Sequence, residues 1–510
     1  MKAQNMQHVY KKSILTKVFA AILVVMFATA LVAQHRGDNL SFQGLSDKNE
    51  VSVKALAMGG ALTAVSGDLS SLFYNPAGLS GIKQLQVSIS SNYYNKQWRE
   101  NQNYRPDRYF VTLPFYLEGL YIPLDSNNGK WDYQVVQDTN YNYIVQEPQL
   151  GVDPYSGEAA DWMKNKSNVG LTNISAAMPF QILDEKFVGA LSYNRNNNFY
   201  DFDRNDTYLN PHIGYLGYGW DITRVDGLHT MEMQWSRFLR QRFGSLSSVT
   251  GGLSYRVIDE IMVGVGANIM WGQSDDYQSL VRVGDFLLSN QQRFTFTYRD
   301  ISQLLTETSK YKATSFNLST VILLNRVTLG LKIDLPYTLS REWSYTQTDF
   351  DSSTTVATFS GTDKFKVPAI FNWGISFQPV DNFTIAFDYE YAPYSKATFE
   401  LSSNDSSFNK WVNRNTIRLG LEFKAIEFLS FMAGYKSIPQ TYIPDGAAIK
   451  DKGPDANSYS VGASLNLFFG RIDLAYELRI LKYYDSYFSN TNYVFEKSSN
   501  ILIGYTYAFN

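Results

Sequence analysis

The chain has 510 residues, a formal net charge of −3 and no cysteine. The near-neutral charge argues against a nucleic-acid partner, because no basic excess exists to neutralise phosphates, and the lack of cysteine excludes disulfides and thiolate metal sites. Tyr and Phe are abundant, with 36 and 33 residues, which is typical of a transmembrane barrel with aromatic girdles at both interfaces.

The first 33 residues predict a secretory signal peptide. An apolar run from 18 to 32 follows a basic start that contains Lys2, Lys11, Lys12 and Lys17. Small residues permit cleavage near Ala30 or Ala33. The run is shorter than the roughly 20 residues that a membrane-spanning helix needs, and a retained N-terminal anchor is the alternative.

Residues 55–79 form a segment with the sequence ALAMGGALTAVSGDLSSLFYNPAGL. It contains a glycine pair at 59–60 and a short predicted helix with Asp68 as its N-cap. Because proline lacks an amide donor and restricts the residue before it, Pro76 extends Asn75 and ends this helix by Tyr74. The segment is too short and too rich in glycine to form its own core, so it must pack inside something larger.

Strict alternation of apolar and polar residues follows, and it predicts β-strands with one apolar and one polar face. In the first strand, Leu85, Val87, Ile89 and Tyr93 share the apolar face, opposite Gln86, Ser88, Ser90 and Asn92. The same pattern recurs, with charged residues on the polar face, at 327–337, 383–391, 417–424 and 471–480. Charges on one face of so many strands need water, so this face should line a hydrated lumen.

The connections between strands alternate between short and long. Short turns are predicted near 183–185, 258–260, 324–326, 379–382, 425–427 and 469–471. Long polar connections are predicted near 94–168, 199–245, 273–313, 341–366, 395–413, 438–456 and 485–498, and the strand-like piece at 294–298 predicts a hairpin that extends above the membrane. Six hairpins with the strands at 85–93 and 499–509 predict an all-β fold, a transmembrane antiparallel β-barrel of about 14 strands.

The sequence contains no recognisable catalytic or metal-binding motif. Its four histidines form no zinc pattern, and no His-Glu-x-x-His, Gly-x-Ser-x-Gly or Walker sequence occurs. We therefore expect no enzymatic activity, no cofactor and no metal site. The lumen carboxylates Asp388, Glu390 and Glu422 are instead expected to form charge networks with Lys332, Lys424, Arg418 and Arg471.

The pattern A-M-G-G-A…D-L-S-S-L-F-Y-N-P-A-G-L resembles the N-terminal hatch of the FadL/TodX-type outer-membrane transporters, barrels that carry long-chain fatty acids and other hydrophobic molecules. The resemblance implies that this segment plugs the lumen of the barrel. It places the family's Asn-Pro-Ala signature on Asn75, Pro76 and Ala77, in one hatch motif with Gly59 and Gly60. The predicted regions are a signal peptide at 1–33, the hatch at 34–83 and the barrel at 84–510.

We therefore expect a transporter of the cell outer membrane, a monomer in contact with outer-membrane lipid, that takes up fatty acids or similar hydrophobic small molecules passively. The resemblance implies capture by extracellular loops, transfer to a pocket at the hatch, and lateral exit beside a kinked strand, for which 187–199 is the candidate. The hydrophobic substrate-binding candidates are Leu56, Met58, Leu62, Val65, Leu69, Leu72, Phe73 and Tyr74. Anchoring of the plug is the alternative role for each.

Three other classes of protein remain open at this point. PorV-type subunits of type IX secretion share the barrel and a similar hatch, but handle secreted protein cargo. An outer-membrane phospholipase would need a nucleophile and a base on neighbouring strands. A soluble all-β protein would show similar alternation.

Overall fold

The computed structural model describes residues 49–104, 153–160, 162–183, 185–212, 229–289, 294–350, 354–402, 411–442, 453–486 and 490–509. The predicted signal peptide and the start of the predicted hatch lie outside these residues. None of the helices within the described ranges is long and apolar enough to cross a bilayer.

Eighteen antiparallel strand segments form one sheet, which closes on itself because the first strand pairs with both the second and the last. Backbone hydrogen bonding is therefore continuous around most of the wall. The segments are β1 Gln86–Tyr104, β2 Trp162–Ile182, β3 Glu185–Asn198, β4 Asp201–His212, β5 His229–Ile258, β6 Ile261–Ser289, β7 Phe294–Leu324, β8 Val327–Asp334, β9 Tyr337–Phe350, β10 Thr355–Val367, β11 Ile370–Val380, β12 Phe383–Ala392, β13 Thr398–Glu400, β14 Arg414–Ile426, β15 Leu429–Pro439, β16 Asp455–Leu467, β17 Gly470–Ser486 and β18 Asn490–Ala508.

Four barrel strands are each divided into two segments, namely β3 with β4, β8 with β9, β10 with β11, and β12 with β13. Pro336, Pro368 and Pro393 lie at three of these breaks, because proline has no amide to donate to a neighbouring strand. Counting each divided strand once gives a closed barrel of fourteen strands. The predicted strand number and fold class are confirmed.

The two ends of the barrel differ in their connections. At one end, the turn end, each of the six predicted turns lies within two residues of an observed hairpin. At the other, the loop end, much of the chain predicted as long connections is strand, and β5 and β7 have 30 and 31 residues. Polar residues face both sides of these extensions, so the alternation that marks a half-buried strand is missing there. The strand predicted at 294–298 is observed as the start of β7 at Phe294.

The outer face of the barrel is apolar near the turn end and charged toward the loop end. On β1, Ile89 is 46% exposed, whereas the neighbouring Ser90 is buried and faces the lumen. On β7 and β9, Lys312 and Glu342 form an exposed ion pair with a separation of 3.3 Å. Because charged side chains that face hydrocarbon are costly, the loop-end extensions lie beyond the lipid.

The hatch lies inside the barrel near the turn end, where it contacts β3, β5, β6, β7 and β15 to β18. It contains two short α-helices and a 3-10 helix, at Val53–Ala57, Ser71–Tyr74 and Pro76–Gly81. The second helix begins after Ser70, so the predicted N-cap at Asp68 is wrong. The Asp68 carboxylate instead accepts a hydrogen bond from the Ser70 amide at 2.9 Å and pairs with Arg471 of the wall at 3.0 Å. The predicted end of this helix at Tyr74 is confirmed.

Glycines on the inner wall allow the hatch to approach closely. A Cβ atom added at Gly330 would overlap the carbonyl group of Thr63, and one added at Gly434 would overlap the amide of Gly59. The hatch backbone can therefore lie directly on the wall only where the wall has no side chain. We call this set of eight the glycine seat: Gly252, Gly264, Gly330, Gly374, Gly420, Gly434, Gly462 and Gly504, each on a different strand and each in contact with the hatch.

Two pairs within the glycine seat are cross-strand neighbours. Gly330 on β8 lies opposite Gly374 on β11, and Gly420 on β14 lies opposite Gly434 on β15. Each pair leaves a flat patch two strands wide. Residues 63–64 of the hatch lie on the first patch, and residues 58–59 lie on the second.

We predict that Gly330→Ala displaces the hatch, because the new methyl group overlaps the Thr63 carbonyl and such overpacking costs about 1–3 kcal/mol. Ion conductance of the purified protein in planar bilayers should rise, while the heat-modifiable gel mobility of the folded barrel persists. Gly251→Ala is the matched control, since a Cβ atom at this position meets nothing within 4 Å. Equal conductance of the two variants would contradict the role of the glycine seat.

Candidate functional site

A cavity of about 220 Å³ lies in the lumen against the hatch. Phe73 and Tyr74 of the hatch line it, together with side chains from most of the surrounding strands. The residues that line the cavity include an apolar group and a charged group. It can therefore accommodate an amphipathic molecule as well as a purely apolar one.

The apolar wall of the cavity is built around Trp411. The Phe365 ring meets the Trp411 ring edge to face, with 4.7 Å between centroids, and Tyr394 meets it at 5.1 Å. Edge-to-face contacts of this kind are a favoured packing of aromatic rings, and the 3-10 turn Tyr394–Lys396, at the break between β12 and β13, places Tyr394 in the group. The apolar wall consists of Leu246, Met270, Leu339, Phe365, Val367, Ile370, Tyr394 and Trp411.

The charged wall of the cavity consists of ion pairs. Glu390 pairs with Arg414 at 2.9 Å and with Arg418 at 2.6 Å. Lys436 pairs with Glu477 of the wall at 2.8 Å. Mutual pairing offsets the cost of placing these charges away from bulk water.

Other ion pairs join the wall to the hatch. Lys436 also pairs with Glu50 of the hatch at 2.9 Å, and Glu422 pairs with Lys54 of the hatch at 2.9 Å. The predicted lumen charge network is thus confirmed for the pair between Glu390 and Arg418. For Glu422 the predicted wall partners are wrong, because the hatch occupies the lumen beside it and supplies the nearest cation.

The predicted substrate-binding residues fall into two groups. Phe73 and Tyr74 line the cavity. The other six pack against small or apolar side chains of the wall and neighbouring hatch residues, and anchoring of the hatch is the role that their contacts support. These six are Leu56, Met58, Leu62 and Val65, in a cluster with Ala386 and Met432, and Leu69 and Leu72, in a cluster with Ala177 and Val188.

The Asn-Pro-Ala triplet ties the hatch to itself and to the wall. The fully buried Asn75 side chain donates hydrogen bonds to the carbonyl oxygens of Thr63 at 2.6 Å and of Thr320 on β7 at 3.0 Å. Pro76 begins the 3-10 helix, where its missing amide costs nothing. The Ala77 amide donates to Ser319 Oγ on β7 at 3.0 Å.

The glycine pair of the predicted hatch motif lies at a sharp bend after the first hatch helix. Gly59 and Gly60 have φ angles of 61° and 78°, in the left-handed region that favours glycine. A Cβ atom at Gly59 would also lie 2.9 Å from the Tyr435 amide nitrogen of the wall. Both the backbone conformation and the close approach therefore require glycine at 59.

A gap in the backbone pairing of the wall lies beside the cavity. β2 and β3 pair only up to Asn173 and Asn194, whose side chains share a hydrogen bond of 2.6 Å. Beyond this point β3 bulges, and the described strands provide no partner for the free edge of β2 from 162 to 172. Side chains lie across this gap, where the Phe202 ring of β4 lies 5.2 Å from the Trp162 ring of β2. Tyr94 and Asn197, near the two sides of the gap, both line the cavity. The interruption predicted within 187–199 lies at this gap, and its role as an exit stays a prediction.

A buried ion network lies at the loop-end side of the apolar wall. Arg242 pairs with Asp276 at 2.9 Å, and Arg341 pairs with Asp363 at 2.8 Å and with Glu307. Burial raises the pKa of the Asp276 carboxyl, and burial, followed by repulsion from Arg242, lowers the pKa of Arg341 to about 10. The network is therefore held by mutual pairing against a desolvation cost.

The aromatic part of the cavity was missed from the sequence because it lies in ranges predicted to be loops. Phe365 belongs to 341–366 and Trp411 to 395–413, yet both are buried on the inner wall. The prolines of the divided strands were the available signal. Pro368 and Pro393 mark the breaks beside which Phe365 and Tyr394 enter the lumen.

We predict that Asn75→Ala lowers uptake of the cargo without preventing barrel assembly. The substitution leaves the carbonyl oxygens of Thr63 and Thr320 without this donor, which costs about 1–3 kcal/mol for buried groups. Uptake by cells and heat-modifiable gel mobility are the two measurements. Asn165→Ala, which removes a hydrogen bond from Gln97 on the exposed surface, is the control. Unchanged uptake by the Asn75 variant would mean that the triplet is only scaffolding.

Solved structures with the same architecture include a FadL homologue, a toluene transporter and a hydrocarbon channel. A FadL homologue from Pseudomonas aeruginosa superposes with a TM-score of 0.57 at 14% identity, over 91% of this chain and 99% of that one. The toluene transporter TodX from P. putida gives 0.53 at 13% identity, over 90% and 98%, and the CymD monoaromatic hydrocarbon channel gives 0.52 at 12%, over 90% and 97%. No protein-family model and no curated protein matches the chain. The chain therefore has the fold of the FadL-type outer-membrane barrels.

Proposed function

We propose that this protein is an outer-membrane transporter for the passive uptake of hydrophobic small molecules. The observation that carries the proposal is the amphipathic cavity, which lies against the hatch and reaches Tyr94 and Asn197 beside the gap between β2 and β3. A molecule that enters from the loop end meets the apolar wall, is stopped by the hatch, and has an exit beside β2. No step in this route requires a nucleotide or a cofactor.

The apolar wall supplies the affinity for cargo. Each buried methylene group contributes about 0.8 kcal/mol, so about ten buried methylene groups supply the roughly 8 kcal/mol that corresponds to micromolar binding. The ion pairs of the charged wall provide a polar side for a head group. Fatty acids and similar amphiphiles are the cargo class that suits both walls, and we propose that a monomer in outer-membrane lipid carries them.

Small cargo suits this site better than a secreted protein does. The cavity is small and the hatch fills the lumen near the turn end with many contacts to the wall. A protein handled by a PorV-type subunit would need an exposed docking surface rather than an enclosed pocket. We therefore assign no role in protein secretion to the described surfaces.

We predict that Trp411→Ala weakens cargo binding about fivefold, the effect of losing roughly 1 kcal/mol of ring contact. The cargo is first identified by mass spectrometry of solvent extracts from gently purified protein, and its dissociation constant is then measured in nanodiscs. Trp373→Ala is the control, because Trp373 faces outward and is 43% exposed. An extract without hydrophobic compounds, or equal binding by both variants, would contradict the proposed function.

A further inference from the structure

Lys332 links the cavity directly to the hatch. Its side chain is 8% exposed and lines the cavity. The ammonium group pairs with Asp334 on the same strand at 2.9 Å, and it donates a hydrogen bond to the backbone carbonyl of Phe73 in the hatch at 3.1 Å. One wall cation therefore contacts a lumen carboxylate, the hatch backbone and the space where cargo would lie.

The contact at Phe73 lies next to the main attachments of the hatch. Two residues later, the Asn75 side chain donates a hydrogen bond to the Thr63 carbonyl oxygen at 2.6 Å. The Thr63 amide in turn donates to the Asp388 carboxylate on β12 at 2.8 Å. A change at the Phe73 carbonyl is thus two residues from the connection that fixes the centre of the hatch to the wall.

The two acceptors of the Lys332 ammonium group differ in strength. Asp334 is charged and lies two residues away on the same strand, so it stays in place. The Phe73 carbonyl is neutral, and an ammonium group attracts an anionic oxygen more strongly than it attracts the partial charge of a neutral carbonyl oxygen. An anionic group that enters the cavity can therefore replace the Phe73 carbonyl, but not Asp334, as a partner of Lys332.

We infer that Lys332 couples cargo to the hatch. An anionic head group in the cavity takes the hydrogen bond that Phe73 accepts in the resting protein, and this loosens the hatch between 73 and 75. The inference rests on the proposed function and adds to it that Lys332 is the residue that makes hatch movement depend on a charged head group. Neutral molecules bind the apolar wall without this effect.

Three other cations of the charged wall do not offer the same exchange. Arg414 and Arg418 both pair with Glu390, and Lys436 pairs with two carboxylates, Glu50 and Glu477. At each of these positions an anionic head group would compete with a carboxylate that is already bound. At Lys332 it displaces a neutral carbonyl, and that carbonyl belongs to the hatch.

The chain contains no cysteine, so a single cysteine introduced into the hatch is the only thiol that a labelling reagent can reach. Ser71→Cys places this reporter at a side chain that is 2% exposed in the second hatch helix. The labelling rate by a water-soluble maleimide is measured for the full chain in nanodiscs, with decanoate and with decanol. These probes share one alkyl chain and differ in the charge of the head group, and the bound amount of each is quantified by mass spectrometry.

At equal occupancy, decanoate should raise the labelling rate about tenfold over decanol, the factor that one charge-assisted hydrogen bond supplies. With Lys332→Met added, the rate without cargo should rise and its dependence on the head group should disappear. Lys312→Met is the matched control, because it removes a lysine from an exposed ion pair with Glu342 and should preserve the tenfold difference.

The possible contradictory results can be told apart. If both probes bind and accelerate labelling equally, or if the Lys332 variant keeps the difference, the coupling is refuted while the transport function stands. If neither probe binds, the proposed function and the coupling both fail.

Discussion

The hatch lies directly against the wall at the glycine seat, and this close contact allows so short a segment to close the barrel. A barrel of fourteen strands encloses a lumen too wide to be filled by its own side chains. A short segment can close the lumen only if it spans that width and its backbone polar groups find hydrogen-bond partners. Because the wall has no side chains at the glycine seat, the hatch lies close enough to the wall to fill the lumen and to form hydrogen bonds with it.

Close approach allows wall side chains to satisfy the hatch backbone. Asp388 accepts from the Thr63 amide, Ser460 donates to the Ala57 carbonyl at 3.1 Å, and Ser90 donates to the Val51 carbonyl at 3.1 Å. Buried backbone groups need such partners. The hatch therefore holds its position with little regular secondary structure. Individual hydrogen bonds and ion pairs to the wall set the strength of its attachment, and a competing ligand group can break them one at a time.

The same arrangement explains why the cavity has two kinds of wall. Near the hatch the wall is polar and charged because it must pair with the hatch. Farther toward the loop end it is free of that requirement, and aromatic residues such as Trp411 and Phe365 face the lumen. The gap between β2 and β3 lies beside the boundary, since Tyr94 and Asn197 line the same cavity.

Much of the fold could be predicted from the sequence, because a transmembrane strand must be apolar outside and polar inside. Alternation at positions such as Ile89 and Ser90 gave the orientation of the strands, and the short turns gave their number. The cavity could not be predicted in this way, since Trp411 and Phe365 lie where alternation is lost. The glycine seat was also missed, because its meaning depends on cross-strand register, as for Gly330 and Gly374, which one sequence does not display.

Reversible locking of the hatch tests the central claim most directly. The Ala77 amide of the hatch lies 3.0 Å from Ser319 Oγ on β7, so Ala77→Cys combined with Ser319→Cys brings two thiols close together without changing a glycine of the glycine seat. We expect the oxidised variant to fold and bind cargo but not to transport it, and we expect reduction to restore uptake. Uptake at an unchanged rate through the oxidised barrel would contradict the central claim.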